Sequence, residues 1–99
     1  MRVLPPFDGL VAFEAAARHR SMTLAANELR LTQSAISHRL KKLETFVGAS
    51  LLNRTGSGLS PTGAGLSLLS DIAKLLDDMA GLRARSRACL LYTSDAADE

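Results

Sequence analysis

Between residues 23 and 47 the chain reads as two short helices joined by a tight turn, and the second helix has two chemically opposite sides. Ile36, Leu40, Leu43 and Val47 recur at the three-and-four spacing of a buried helical face. Ser34, Ser37, His38, Lys41 and Thr45 share the other side, and no acid appears before Glu44. Short hydroxyls, an imidazole and a cation along one exposed helical face suit base edges and phosphates, the contacts a helix makes in a DNA groove.

Length and composition bound what surrounds this pair. A chain of 99 residues with 46% hydrophobic content can bury one small core. The aromatics are few, Phe7, Phe13, Phe46 and Tyr92, with no Trp. The core must therefore be aliphatic and alanine-rich, which predicts a mainly α fold. The net charge of +2 hides an asymmetry, because Asp95, Asp98 and Glu99 lie among the last five residues. From residue 18 to 54 the cations are Arg18, Arg20, Arg30, Arg39, Lys41, Lys42 and Arg54, against Glu28 and Glu44 alone. That excess favours a polyanionic partner over an acidic small ligand.

Other classes are disfavoured. A single cysteine, Cys89, rules out an internal disulfide framework and a multi-cysteine metal site, and it fits a reducing compartment. Pro5, Pro6 and Asp8 interrupt the start, so it does not read as a signal peptide, and no apolar run is long enough to span a membrane. A cytoplasmic protein without cofactor is expected. Ser21, Ser34 and Ser37 lack a histidine and acid arranged to activate them, which argues against an enzyme. His38 has only His19 for a histidine companion and no acidic or cysteine cluster, so a metal is not expected there.

Along the chain, a first helix is expected over about 8–19, with Leu10, Phe13, Ala16 and Ala17 on its apolar side. Ser21 and Thr23 offer hydroxyl caps for a second helix running through Ala25, Ala26 and Leu29 to about Arg30. Leu31 makes the turn. Thr32 caps the third helix, placing Gln33 and Ser34 at its tip, where free amides and the helix dipole favour phosphate. Gly48 stops it. Residues 51–54 and 58–60 read as short strands with Thr55-Gly56-Ser57 between them, a small β-hairpin or wing. Thr62 then caps a long helix in which Leu66, Leu69, Ile72, Ala73, Leu76, Met79 and Ala80 form an apolar stripe to about Leu82. That stripe could pack back on its own domain. Because Leu10, Phe13, Leu29, Ile36, Leu40 and Leu43 already suffice for the core, it is expected instead to pair with a second subunit.

The division expected is 4–61 for a winged helix-turn-helix, 62–88 for a linker helix and 89–99 for a foreign tail. From Cys89 the helical pattern breaks and the charge trend reverses. Cys-Leu-Leu-Tyr-Thr-Ser-Asp-Ala-Ala-Asp resembles a translated transposon-end sequencing adaptor, in which case the native chain continues past about Ala88.

Phe13-Glu14-Ala15-Ala16-Ala17-Arg18-His19, Ser21-Met22-Thr23-Leu24-Ala25-Ala26, Leu31-Thr32-Gln33-Ser34-Ala35-Ile36-Ser37, Leu43-Glu44, Gly48 and Leu51-Leu52-Asn53-Arg54 together resemble the N-terminal domain of LysR-type transcriptional regulators. The resemblance runs from about residue 4 to 69. The opening Leu4-Pro5-Pro6-Phe7 is similar to the branch holding activators of glycine cleavage and β-lactamase genes. The family implies a winged helix-turn-helix that binds double-stranded DNA, a linker helix that pairs two subunits, and a large domain for a small-molecule effector that these residues do not include. It also implies that Gln33, Ser34, Ser37 and His38 meet base edges or nearby phosphates, that Arg54 is the wing arginine, and that Thr23 and Thr32 face phosphates. Arg39 and Lys41 are read as phosphate contacts. Three positions depart from the family: His38 stands where Arg or Gln is common, Leu52 where Phe is common, and Pro61 where Leu is common.

Blander readings stand beside these. Gln33 could be a solvated helix-start residue, and Lys41 with Lys42 an ordinary solvated face. A nonspecific architectural winged helix would share the basic surplus, and a protein-interaction winged helix would share the fold.

Overall fold

The computed structural model describes residues 3–56 and 58–98, with no side-chain description at 83 and 86–98. The order of elements is α1 (Phe7–His19), α2 (Met22–Leu29), α3 (Gln33–Val47), β1 (Leu52–Thr55), β2 (Gly58–Pro61) and α4 (Gly63–Asp98). This is the mainly α winged helix-turn-helix that the sequence implies. Ser57 of the wing tip and the side chains of the 89–99 tail, Cys89 included, lie outside the described residues.

Local chemistry accounts for the boundaries. The Ser21 hydroxyl accepts from the Leu24 amide at 3.1 Å, and Thr32 does the same for Ala35 at 3.1 Å. Of the two hydroxyls expected to cap α2, only Ser21 does so; Thr23 lies inside the helix. The C-terminal ends are less usual. Gly48 takes the left-handed conformation at φ 82°, but so do Arg20 at φ 55° and Arg30 at φ 57°. Each arginine returns its own amide to a carbonyl of the preceding turn, and the Leu31 amide reaches Ala26 at 2.9 Å, so the helix ends are satisfied although the side chains are not glycine.

The core is shared by α1, α2, α3, the wing and the first part of α4. Phe13, Ile36 and Leu43 are fully buried, Ala12, Ala16 and Ala25 let the helices approach closely, and Leu51 and Leu59 close the wing side. Leu51 precedes β1 rather than belonging to it; β1 pairs antiparallel with β2, with Leu52 opposite Pro61 and Arg54 opposite Leu59. Pro61 removes no ladder partner that a longer sheet would need, since the sheet has two strands.

The long helix departs from expectation in two ways. Its backbone stays helical to Asp98, beyond the end near Leu82 and across the boundary at 88/89. No proline or glycine follows Gly81 to break it, and alanine and leucine favour its continuation. Its apolar stripe is also not one face. Ile72 is 1% exposed in the domain's own core, with Leu69 and Leu76 packed against it. Ile72, read as a dimer contact, is thus a core residue, because α4 folds back on α1 and the wing over its first turns. Leu66, Ala73, Met79 and Ala80 remain exposed, as do Leu75 and Leu82.

Candidate nucleic-acid interface

The helix-turn-helix presents the side chains singled out in the sequence. Thr23, Thr32, Gln33, Ser34, His38 and Lys41 are exposed, and Ser37 is half-buried on the flank of α3 that faces the wing. Gln33 Nε2 donates to the Thr23 hydroxyl at 2.7 Å, a bridge between α2 and the tip of α3. One amide proton is thereby engaged, while Oε1 and the second proton stay available. One donor and one acceptor on a planar amide is the set that pairs with adenine N7 and N6 in the major groove. Thr23 is therefore a brace for Gln33, a role that depends on a contact between residues ten apart and has no local signal in the sequence.

A groove of about 320 Å³ separates α3 from the wing. Ser37, Lys41 and Glu44 line one wall, Leu52, Arg54 and Leu59 the other. Arg54 lies directly opposite Leu59 in the hairpin, so the two share a sheet face, with Leu59 buried and Arg54 exposed. Lys41 and Arg54 thus place a cation on each side of one groove. Glu44 does not oppose them freely. Its carboxylate accepts from the Leu51 amide at 2.8 Å and the Ser50 hydroxyl at 3.5 Å, fastening the end of α3 to the wing.

Two cations counted in the basic excess are arranged differently. Arg39 turns to the α1 side of α3, half-buried, with Nε 3.8 Å from Asp8 Oδ2, apart from the Gln33–Lys41 face. Arg18 is held by two acids: it donates to Glu14 at 2.8 and 3.0 Å and to Glu28 at 2.9 and 2.7 Å, and His19 Nε2 lies 2.6 Å from Glu28. The cluster ties α1 to α2. Hydrogen bonds from Arg18, then His19, hold the Glu28 carboxyl down to about 2 from 4.5, while Arg18 is pushed up by Glu14 and Glu28. A folded carboxyl that titrates below its free value stabilises above pH 4.5 and loses that contribution as pH falls towards 2. Thermal unfolding of wild type and Glu28→Gln across this range should therefore show a difference that is largest above pH 4.5 and vanishes near pH 2. The groups are partly solvated, so the difference will be small.

A family model for bacterial regulatory helix-turn-helix proteins of the lysR family matches residues 7–66. The glycine cleavage system transcriptional activator of Escherichia coli (strain K12) is 52% identical over 56 residues, covering 57% of this chain and 18% of that protein. The transcriptional activator AmpR of Pseudomonas aeruginosa is 48% identical over 80 residues, covering 81% of this chain and 27% of that protein. The chain thus spans only a minor part of the curated relatives it matches. Among solved structures, the CbnR DNA-binding domain in complex with DNA superposes with a TM-score of 0.77 at 33% identity, covering 85% of this chain and 97% of that one. No helix among the described residues is long and apolar enough to cross a membrane. With the same residues carrying the fold, the caps and the match, this chain belongs to the LysR family of bacterial regulatory helix-turn-helix proteins.

Proposed function

We propose that this chain is the DNA-binding part of a LysR-type transcription regulator, a cytoplasmic, nucleoid-associated protein with no enzymatic activity of its own. It binds double-stranded DNA in a sequence-specific way as a homodimer, with α3 of each subunit in a major-groove half-site and the wing on flanking backbone. The observation that carries this is Gln33, held by Thr23 at the tip of α3 with one donor and one acceptor unused, on the same helix whose Ser37 and Lys41 face the wing arginine Arg54 across a groove. Ser34, Ser37 and His38 complete the reading face; Thr32 and Lys41 meet phosphate, and Arg39 reaches it only from the flank. The CbnR domain that shares this fold is described in complex with DNA, which supports the same use here.

The second subunit covers the exposed side of α4. Leu75, Met79 and Leu82 continue from Leu68 and Ile72 at alternating four-and-three spacing, the seam of a helix pair, whereas Leu66, Ala73 and Ala80, read from the sequence as part of the same stripe, fall on the other side of α4. In this reading the division 4–61, 62–88 and 89–99 holds, the native chain continues past about Ala88, and a small-molecule effector acts through that continuation. Sequencing the genomic locus beyond the codon for Ala88 tests that part.

Gln33→Ala should lose about 1–3 kcal/mol of discrimination at one base pair. Arg54→Ala should weaken binding to every duplex and flatten its salt dependence, with slope reduced by about 0.9. Titration of both variants against the best duplex from a random pool checks the pair. Unchanged binding by both sinks the assignment, and equal affinity of wild type for all sequences favours an architectural protein instead.

A further inference from the structure

A second cleft, of about 430 Å³, adjoins the groove beside α3 and lies between the α1–α2 turn and the hairpin. Arg20, Ser21 and Met22 form one wall, and Arg54, Gly58 and Leu59 face them. Two guanidinium side chains line it, no acid does, and among the described residues neither arginine has an ion-pair partner. Like charges gathered in one concave site without a counter-charge create a positive potential that an anion relieves.

The arrangement is built by the backbone. Arg20 is fixed in the left-handed conformation, and its carbonyl accepts from the Leu59 amide at 3.3 Å. Leu59 is also the residue opposite Arg54 in the hairpin, so one residue ties both arginines to the same place. Gly58 permits the approach: a Cβ there would stand 2.8 Å from the Arg20 carbonyl oxygen. The cleft shares Met22, Arg54 and Leu59 with the groove beside α3. Lys41, Arg54 and Arg20 therefore follow one another along a continuous track from the recognition helix, over the wing stem, to the α1–α2 turn.

We infer that Arg20 and Arg54 together hold one backbone phosphate of the duplex in this cleft, making Arg20 a phosphate-binding residue at the outer edge of the interface. This rests on the DNA-binding reading and extends it by one contact that carries no base preference. Arg20→Gly is the informative variant, because glycine accepts φ 55° without strain and keeps the carbonyl that holds Leu59. Its thermal midpoint should equal or exceed that of wild type.

Binding of the 99-residue chain to a labelled random-sequence duplex, followed by fluorescence anisotropy across a salt series, reads the phosphate contact directly. Arg20→Gly should bind roughly fivefold more weakly, with a log–log salt slope shallower by about 0.9. Arg20→Lys should recover the slope but only part of the affinity, since it keeps the charge and loses the fork. The bases selected from a random pool should not change. Wild-type slope and affinity in Arg20→Gly overturn the inference, and so does an altered base preference, which would put Arg20 on base edges. Failure of the wild-type chain to bind any duplex removes the DNA-binding reading and this inference with it, an outcome distinct from the other two.

Discussion

Replacing Ile72 by alanine is expected to lower the stability of the winged domain by about 2–5 kcal/mol, and the loss should be the same at low and high protein concentration. Ile72 is buried among residues of its own domain, with Leu69 and Leu76 against it, so truncation opens a cavity inside one subunit. Leu75→Asp should behave in the opposite way. That side chain is exposed on α4, and a charge there should weaken subunit association while leaving the unfolding of dilute monomer nearly unchanged. Denaturant unfolding at two protein concentrations, with sedimentation of both variants, separates the cases. An Ile72→Ala penalty that disappears on dilution would return Ile72 to the subunit interface.

Gly65→Ala should cost roughly 3 kcal/mol, even though alanine is the better helix former by about 1 kcal/mol. A Cβ at this position would overlap the Leu51 carbonyl oxygen, with the Pro61 Cβ 3.3 Å away. The oxygen has no room to retreat. It already accepts from the Thr62 amide at 3.0 Å, while the Thr62 hydroxyl donates to Ser50 at 2.6 Å and accepts from Gly65 at 3.0 Å. These bonds fasten the start of α4 to the loop between α3 and the wing, so Gly65→Ala must either break them or swing the linker helix outward. A thermal midpoint equal to wild type would show that the junction yields without cost.

The helix-turn-helix was legible because its evidence is local. Apolar spacing gives the buried side of α3 at Ile36, Leu40 and Leu43, although Val47 at the last turn of the same spacing is exposed; Ser21 and Thr32 are three residues from the amides they cap, and Gly48 marks its own left-handed turn. Arg20 and Arg30 adopt the same backbone conformation without a residue type that announces it, so the two turns were seen but not the means by which they are made. The Arg18 cluster and the Gln33–Thr23 bridge join residues ten apart on different helices, beyond the reach of any helical period. Glu44 was legible as an acid near the basic face, not as the clasp on Leu51. The α4 stripe failed for a related reason. Periodicity identifies which residues are apolar together but not which surface covers them, and here Ile72 goes to the domain while Met79 stays exposed.

The Glu44 clasp on Leu51 sets the α3 face beside the wing, and the most direct test of that face's use is a selection. The 99-residue chain is presented with a pool of random duplexes, and the enriched sequences are then titrated against random competitor. A sequence-specific dimer should recover a near-palindromic motif with half-sites about 34–36 Å apart or a multiple of that. It should prefer that motif over random duplex by a factor on the order of a thousand or more, and Gln33→Ala should relax the choice at one position in each half. Recovery of no motif, with every duplex bound equally or none bound at all, would contradict it.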